Sequence, residues 1–202
     1  MNGKMRHSRA DSRRMVWHIA ILCAVSLSGH GVRAQVTSQP FSADMVKTTS
    51  KKMTTAKVNM IESAIRTEGV EHGKKYITIM RYDRKVLWSL MPEQEMYVEM
   101  RMPAGAELAT AMKDMMKDVQ VKREPLGSEQ VGDYHCDKSR TAVTWQGITS
   151  STIEWAAKEL GGFVVKKLDE KTGETTEYHN IKIGPQDPSL FELPAGYQRL
   201  KM

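Results

Sequence analysis

The chain has 202 residues, a formal net charge of +6 and a pI near 9.3. Its first 34 residues carry six of the 30 basic and one of the 24 acidic side chains, so residues 35–202 hold 24 basic and 23 acidic residues. The net charge of residues 35–202 is therefore only +1, which gives no support for nucleic-acid binding, and none is expected. This segment is long enough for one domain with a substantial core.

The N-terminus has the pattern of an export signal. Five basic residues precede the apolar run 16–27: Lys4, Arg6, Arg9, Arg13 and Arg14. Val32-Arg33-Ala34 then supplies the residue types that a signal peptidase recognises, which predicts cleavage before Gln35 and a periplasmic product. The apolar run is shorter than the roughly 20 residues that span a bilayer, so we expect no membrane span in the mature chain.

Two features of the signal leave the export route open. Ser12-Arg13-Arg14 resembles the twin-arginine signal, so this route stands beside the general secretory one. Lipidation of Cys23 would tether the product, but Leu22 occupies the position where lipoprotein processing requires a small residue. We therefore expect residues 35–202 to form a single untethered domain.

Alternation of apolar and polar residues, broken by turn residues, predicts antiparallel strands from residue 41 onward. The predicted strands cover residues 41–48, 56–68, 74–82, 86–91, 94–102, 119–123, 133–145, 151–157, 164–169 and 175–183. One helical turn is the alternative for residues 155–160. Cys136, the one cysteine after the signal, is predicted to be a small buried strand residue.

Residues 105–118 have helical periodicity instead. Leu108, Met112, Met115 and Met116 fall at i, i+4, i+7 and i+8, with charged residues on the opposite side. The pattern predicts one amphipathic helix that interrupts the sheet. The proline-containing tail 184–197 is predicted to be an ordered loop, because Leu190, Phe191, Leu193 and Tyr197 need burial.

Methionine is the unusual component of this composition. Twelve of the 15 methionines follow the signal, and eight of these lie between Met80 and Met116. Methionine adapts to irregular apolar shapes, whereas a core that needs no adaptability is better specified by other residues. The predicted lining of an apolar cavity consists of Trp88, Leu90, Met96, Val98, Met100, Leu108, Met112, Met115 and Met116.

Two other interpretations of the methionines remain open. The methionines can fill an ordinary core, or their soft thioether sulfurs can bind copper. Met112 with Met115, and Met100 with Met102, have the spacing that presents two sulfurs to one side. The apolar faces on which they are predicted to lie disfavour copper, and we predict no metal site. No nucleophile elbow, metalloprotease motif or phosphate-binding glycine loop occurs in the sequence, so a non-enzyme without cofactors is expected.

Three stretches of the chain resemble the LolA-like superfamily of periplasmic lipoprotein-carrier folds, in particular its uncharacterised small-domain branch. The first stretch is Phe41-Ser42-Ala43-Asp44, and the third is the tail 187–197 (DPSLFELPAGY). The second stretch runs from Arg66-Thr67-Glu68 through Arg81-Tyr82-Asp83, and it also includes Trp88, Met91-Pro92 and Tyr97. The helix that precedes the first strand in carriers is missing here.

The resemblance implies a mainly β (α+β) fold: a curled antiparallel sheet that forms an incomplete barrel, with one or more short helices covering its concave face. It further implies binding of a lipoprotein acyl chain or another lipid, and Arg66 as the arginine that tethers the lid. An exposed Arg66 paired with Glu68 or Glu99 is the alternative. We therefore predict a monomeric, non-catalytic periplasmic carrier, with an envelope protein-binding or sensing module as the alternative.

Overall fold

About two thirds of the described residues lie in the strands of one open β-sheet. The computed structural model describes residues 39–71, 73–102 and 119–200. Twelve strands follow the order β12-β6-β5-β4-β3-β2-β1-β11-β10-β9-β8-β7, and the sheet does not close into a barrel. All neighbours are antiparallel except β12 and β6, which pair in parallel. The predicted mainly β class and antiparallel sheet are confirmed.

The strands alternate with short turns along most of the chain. Their bounds are β1 Phe41–Thr48, β2 Met53–Ile61, β3 Ala64–Glu71, β4 Lys74–Arg81, β5 Val86–Met91, β6 Met96–Arg101, β7 Gln120–Val131, β8 Tyr134–Trp145, β9 Ile148–Ala157, β10 Phe163–Asp169, β11 Thr175–Ile183 and β12 Gln198–Arg199. Two short 3₁₀ helices, Pro92–Gln94 and Pro188–Phe191, complete the described elements.

Some strand boundaries differ from the prediction. The predicted strand 56–68 is two strands, β2 and β3, joined by a tight turn at Glu62 and Ser63. β7 continues beyond residue 123 to Val131, because a bulge between Pro125 and Gly127 lets the strand pass both of these residues. The helical alternative for residues 155–160 is wrong, since β9 continues to Ala157 and a turn follows.

The sheet consists of two meanders that meet at one strand pair. β1 to β6 form the first meander and β7 to β11 the second, and the pairing of β1 with β11 joins them. A bulge in β11 near Asn180, whose φ of 51° is left-handed, adjusts the register of this pair.

Three apolar clusters hold the sheet together. One surrounds Ile79, Leu90 and Phe191, a second surrounds Phe41 and Met60, and a third surrounds Trp155 and Cys136. Cys136 lies fully buried in β8, as predicted. The tail residues Leu190, Leu193 and Tyr197 pack against the first cluster, which confirms that the tail is ordered.

Two predicted segments fall outside the described residues: the export signal 1–34, and the amphipathic helix with Leu108, Met112, Met115 and Met116. Within the described ranges, no helix has the length and apolar character to cross a membrane.

Candidate functional site

An apolar face of the first meander is the candidate site. Directly opposed residues of neighbouring strands point to the same face of a sheet. One such row crosses six strands, β1 to β6, and consists of Phe41, Met60, Ile65, Met80, Leu87 and Met100. We call the side of the sheet that carries this row the methionine face.

The methionine face has further apolar residues beside this row. Val98 lies opposite Ser89, and Met96 lies opposite Met91. Both positions are an even number of residues from Met100 on β6, so their side chains share its face. The three predicted cavity residues Met96, Val98 and Met100 are therefore together.

Burial varies along the methionine face, and Leu87 on β5 is only 7% exposed. Phe41 and Met60 are buried, and β11 and β10 supply Tyr178 and Phe163 beside them. The ring of Phe163 stands edge-on to both Phe41 and Tyr178, with centroids 4.9 and 5.2 Å apart. Met80 and Met100 are only half-buried. The half-buried methionines leave adaptable apolar surface on this part of the face.

Trp88 and Leu90 point to the other side of the sheet. They pair with Glu99 and Tyr97, whose positions alternate with those of Met96, Val98 and Met100 on β6. The prediction that all five line one cavity is thus wrong for Trp88 and Leu90. The two side chains are buried against Ile79 and the C-terminal tail, and we call their side the tail-covered face.

Trp88 already has polar partners as well as apolar ones. Its indole N–H donates to Glu99 Oε2 at 3.2 Å, and the Arg84 guanidinium lies 5.9 Å from the ring centroid. The carboxylate of Glu99 also pairs with Arg199 of β12. Trp88 is therefore a core residue beneath the tail.

Arg66 lies on the tail-covered face and contacts the tail. Its Nη1 donates to the carbonyl oxygen of Leu190 at 3.2 Å, and its Nη2 pairs with Glu68 Oε2 at 2.8 Å. The pairing with Glu68 agrees with the alternative interpretation, but the Arg66 side chain is only 11% exposed, so its expected exposure is wrong. Glu99 pairs with Arg199 instead. The hydrogen bond joins β3 to the tail, and a role of Arg66 as lid tether stays a prediction.

Arg81 is the principal anchor of the tail, and no pattern in the sequence indicated this role. Its guanidinium donates two hydrogen bonds to the Asp83 carboxylate, at 2.7 and 2.9 Å. Its Nη1 also donates to the carbonyl oxygen of Phe191 at 3.1 Å and to Glu192 at 2.6 Å. The hydrogen bond from Arg81 lowers the pKa of Asp83 to about 2, and the same bond raises the pKa of Arg81.

A separate open groove of about 770 Å³ lies along β1, β2, β3 and β11. Its lining is mixed, with Val46, Met53 and Val70 beside Lys57 and Glu68. No described member of the predicted cavity lines this groove. In the part of the chain that the structure describes, no three His, Cys, Asp or Glu side chains come together as metal ligands. Burial raises the pKa of the Cys136 thiol, which makes it a poor nucleophile.

The sequence matches one family model over residues 41–161, a domain of unknown function named DUF4412. The chain belongs to this family. No curated protein is significantly similar to it in sequence.

Membership of the DUF4412 family assigns no activity to the chain. Similarity to solved structures shows its fold. An uncharacterized conserved protein from Thermus thermophilus is 15% identical with a TM-score of 0.59, over 81% of this chain and 90% of that one. MucB from the MucA/MucB complex of Pseudomonas aeruginosa is 14% identical with a TM-score of 0.53, over 84% of this chain. The alignment spans 61% of that MucB chain. The fold is LolA-like, as the resemblance in sequence implied.

Proposed function

We propose that the protein is a non-catalytic periplasmic carrier or binding protein for an apolar ligand, either a lipoprotein acyl chain or another lipid. The observation that carries the proposal is the methionine face, on which apolar side chains continue across six strands and are half-buried at Ile65, Met80 and Met100. The LolA-like fold supports it. The export signal predicted for residues 1–34 supports the periplasmic location.

The binding energy would come from removing apolar surface from water. At about 25 cal/mol per Å², burial of roughly 200 Å² of an acyl chain contributes about 5 kcal/mol before ordering costs. Methionine at Met80, Met91, Met96 and Met100 suits chains of different shape, because its side chain has several low-energy conformations. In this proposal the predicted helix with Leu108, Met112, Met115 and Met116 covers the same ligand.

Extraction of the purified secreted protein with organic solvent, followed by mass spectrometry, tests the proposal. We expect about one lipid per chain from the wild type and none from Met100→Asp, because a carboxylate on the half-buried part of the methionine face opposes a hydrocarbon ligand. Met53→Asp is the matched control, since Met53 is exposed on β2 and points to the other face.

Folding defects are separated from loss of binding by measuring the unfolding midpoint of each variant. If Met100→Asp does not fold, Met96→Asp tests the same face nearer to the start of β6. A folded wild-type protein that yields no lipid, or a Met100→Asp variant that retains it, contradicts the carrier proposal.

The alternative is a module that binds an envelope protein. The observation that favours it is the edge position of β7, a strand of 12 residues of which most are exposed. Such an edge can accept a partner strand on either side of its bulge. MucB, which has a similar fold, is known in complex with MucA(peri). A lipid-free extract together with crosslinking of an envelope protein to a photoreactive residue at Lys122 supports this alternative.

A further inference from the structure

The second meander places buried polar residues on the methionine face. One row of directly opposed residues crosses β8, β9, β10, β11 and β1, and consists of Ser139, Glu154, Lys167, Thr176 and Lys47. Lys47 lies six residues from Phe41 on β1, whose pairing with β2 has no bulge. The even spacing puts this row on the same face as Phe41 and Met60.

A second row lies beside the first. Thr141 lies opposite Arg123 on one side and Thr152 on the other. It is two residues from Ser139 on β8, so it also belongs to this face. We call Arg123, Ser139, Thr141, Glu154 and Lys167 the polar patch.

The centre of the polar patch is buried but poorly paired. Thr141 is 3% exposed, and its hydroxyl has no hydrogen-bond partner among the described residues. Glu154 is 8% exposed, and its nearest cation is Arg123, with Nη2 3.9 Å from the carboxylate oxygen. That distance is too long for a hydrogen bond. Arg123 instead donates from Nε to the hydroxyl of Ser139 at 3.1 Å.

Such an arrangement is costly for folding alone. A buried hydroxyl is normally satisfied by a hydrogen bond, since it loses its contacts with water. The Glu154 side chain is 10% exposed, so its carboxylate keeps only a small part of its hydration. Here the described part of the chain provides the Glu154 carboxylate with a distant guanidinium and the Thr141 hydroxyl with no partner. A ligand that supplies a cationic donor and an acceptor satisfies both groups.

We propose that the polar patch binds the zwitterionic head group of the ligand, a phosphate joined to an ammonium group. This inference rests on the proposed function, in which the methionine face holds the hydrocarbon chain. The ammonium group donates to the Glu154 carboxylate. The phosphate accepts hydrogen bonds from the Thr141 hydroxyl and the Arg123 guanidinium, whose side chain is 46% exposed and available.

The position of the polar patch relative to the apolar residues fits an amphiphile. Three strand spacings separate Glu154 on β9 from β1, which is about 14 Å across the sheet, and Phe41 lies about 20 Å along β1 from Lys47. Met45 and Tyr178, which oppose each other on β1 and β11, lie between the two rows. A head group at β8 and β9 therefore leaves a long hydrocarbon chain to run diagonally over apolar side chains towards Phe41.

The test compares two lysolipids with the same palmitoyl chain and phosphate, one with an ethanolamine head and one with a glycerol head. Calorimetric titration of the delipidated secreted protein should give affinity about tenfold higher for the ethanolamine lipid, because only its head forms a charge-assisted hydrogen bond with Glu154. Glu154→Gln should remove this preference. Glu124→Gln is the matched control, since Glu124 is exposed and lies on the other face of β7, two strands away from Glu154.

Two further variants separate binding from structure. Arg123→Gln should weaken both lipids about equally, because both carry a phosphate. Thr141→Val has nearly the same shape and removes the unpaired hydroxyl, so it should leave the empty protein at least as stable while weakening both lipids. A hydroxyl with a purely structural role would leave binding unchanged, and Thr141→Val also serves if Glu154→Gln does not fold.

The outcomes distinguish this inference from the proposed function. If the wild type yields lipid on extraction but binds neither lysolipid, the carrier proposal stands and the head-group site is overturned. If it yields no lipid on extraction and binds neither lysolipid, both fail. If the wild type binds both lipids with equal affinity, the carrier proposal stands and the zwitterionic head-group site is overturned. A preference that persists in Glu154→Gln also overturns it.

Discussion

Replacing Arg81 by methionine should release the C-terminal tail from the sheet. Arg81 is 8% exposed and donates to the carbonyl oxygen of Phe191, a hydrogen bond from a charged donor that is worth about 1.5–3 kcal/mol. Its two carboxylate partners, Asp83 and Glu192, are nearly half-exposed and can return to water, so each pair adds no more than about 1 kcal/mol. We expect Arg81→Met to lower the free energy of unfolding by about 2–4 kcal/mol.

Arg84→Met is the matched control for this experiment. Arg84 also pairs with Glu192, but its side chain is 47% exposed, and its guanidinium otherwise lies 5.9 Å from the ring centroid of Trp88. We expect a loss of about 1 kcal/mol. Urea unfolding followed by tryptophan fluorescence measures both, and the midpoint of Arg81→Met should fall by roughly 1–2 M. A midpoint shift in Arg84→Met as large as that in Arg81→Met would refute Arg81 as the principal anchor.

Two other predictions concern titratable groups. Because the pKa of Asp83 is lowered to about 2 in the folded protein, its contribution to stability is present above about pH 4 and is lost as the pH falls towards 2. Asp83→Asn should therefore lose less stability than the wild type between about pH 4 and 2, as measured by urea titrations at each pH. Equal losses in the two proteins would contradict this. Cys136 is fully buried with a raised thiol pKa, so iodoacetamide should label it only after unfolding, and rapid labelling of the native protein would show that β8 opens.

The strand pattern was predictable where alternation ends at a turn residue. The bounds of β1, β5 and β11 agree with the prediction, because polar turn residues, proline or glycine follow directly after each of these strands. The hairpin between β2 and β3 was missed because Glu62 and Ser63 interrupt the alternation without glycine or proline. At β7 the opposite error occurred, since Pro125 and Gly127 predict a break but form a bulge within the strand.

The candidate site was only partly predictable, because the sequence does not show the register in which β5 pairs with β6. Alternation shows that Met96, Val98 and Met100 share one face of β6, but it does not say which face of β5 continues that surface. This depends on the pairing of β5 with β6, which places Leu87 and Met91 beside the methionines and Trp88 beneath the tail. The polar patch could not be predicted, because its members come from four strands that are brought together only by the strand pairing. Their burial also cannot be read from the sequence.

The junction of β1 with β11 has a consequence for how the chain matures. β1 is made early, yet its second partner begins at Thr175, near the end of the chain. Contacts between such distant segments form late and slowly, because a long loop must close first. The newly made polypeptide thus cannot join its two meanders into one sheet until Thr175 and the residues of β11 that follow it have been made.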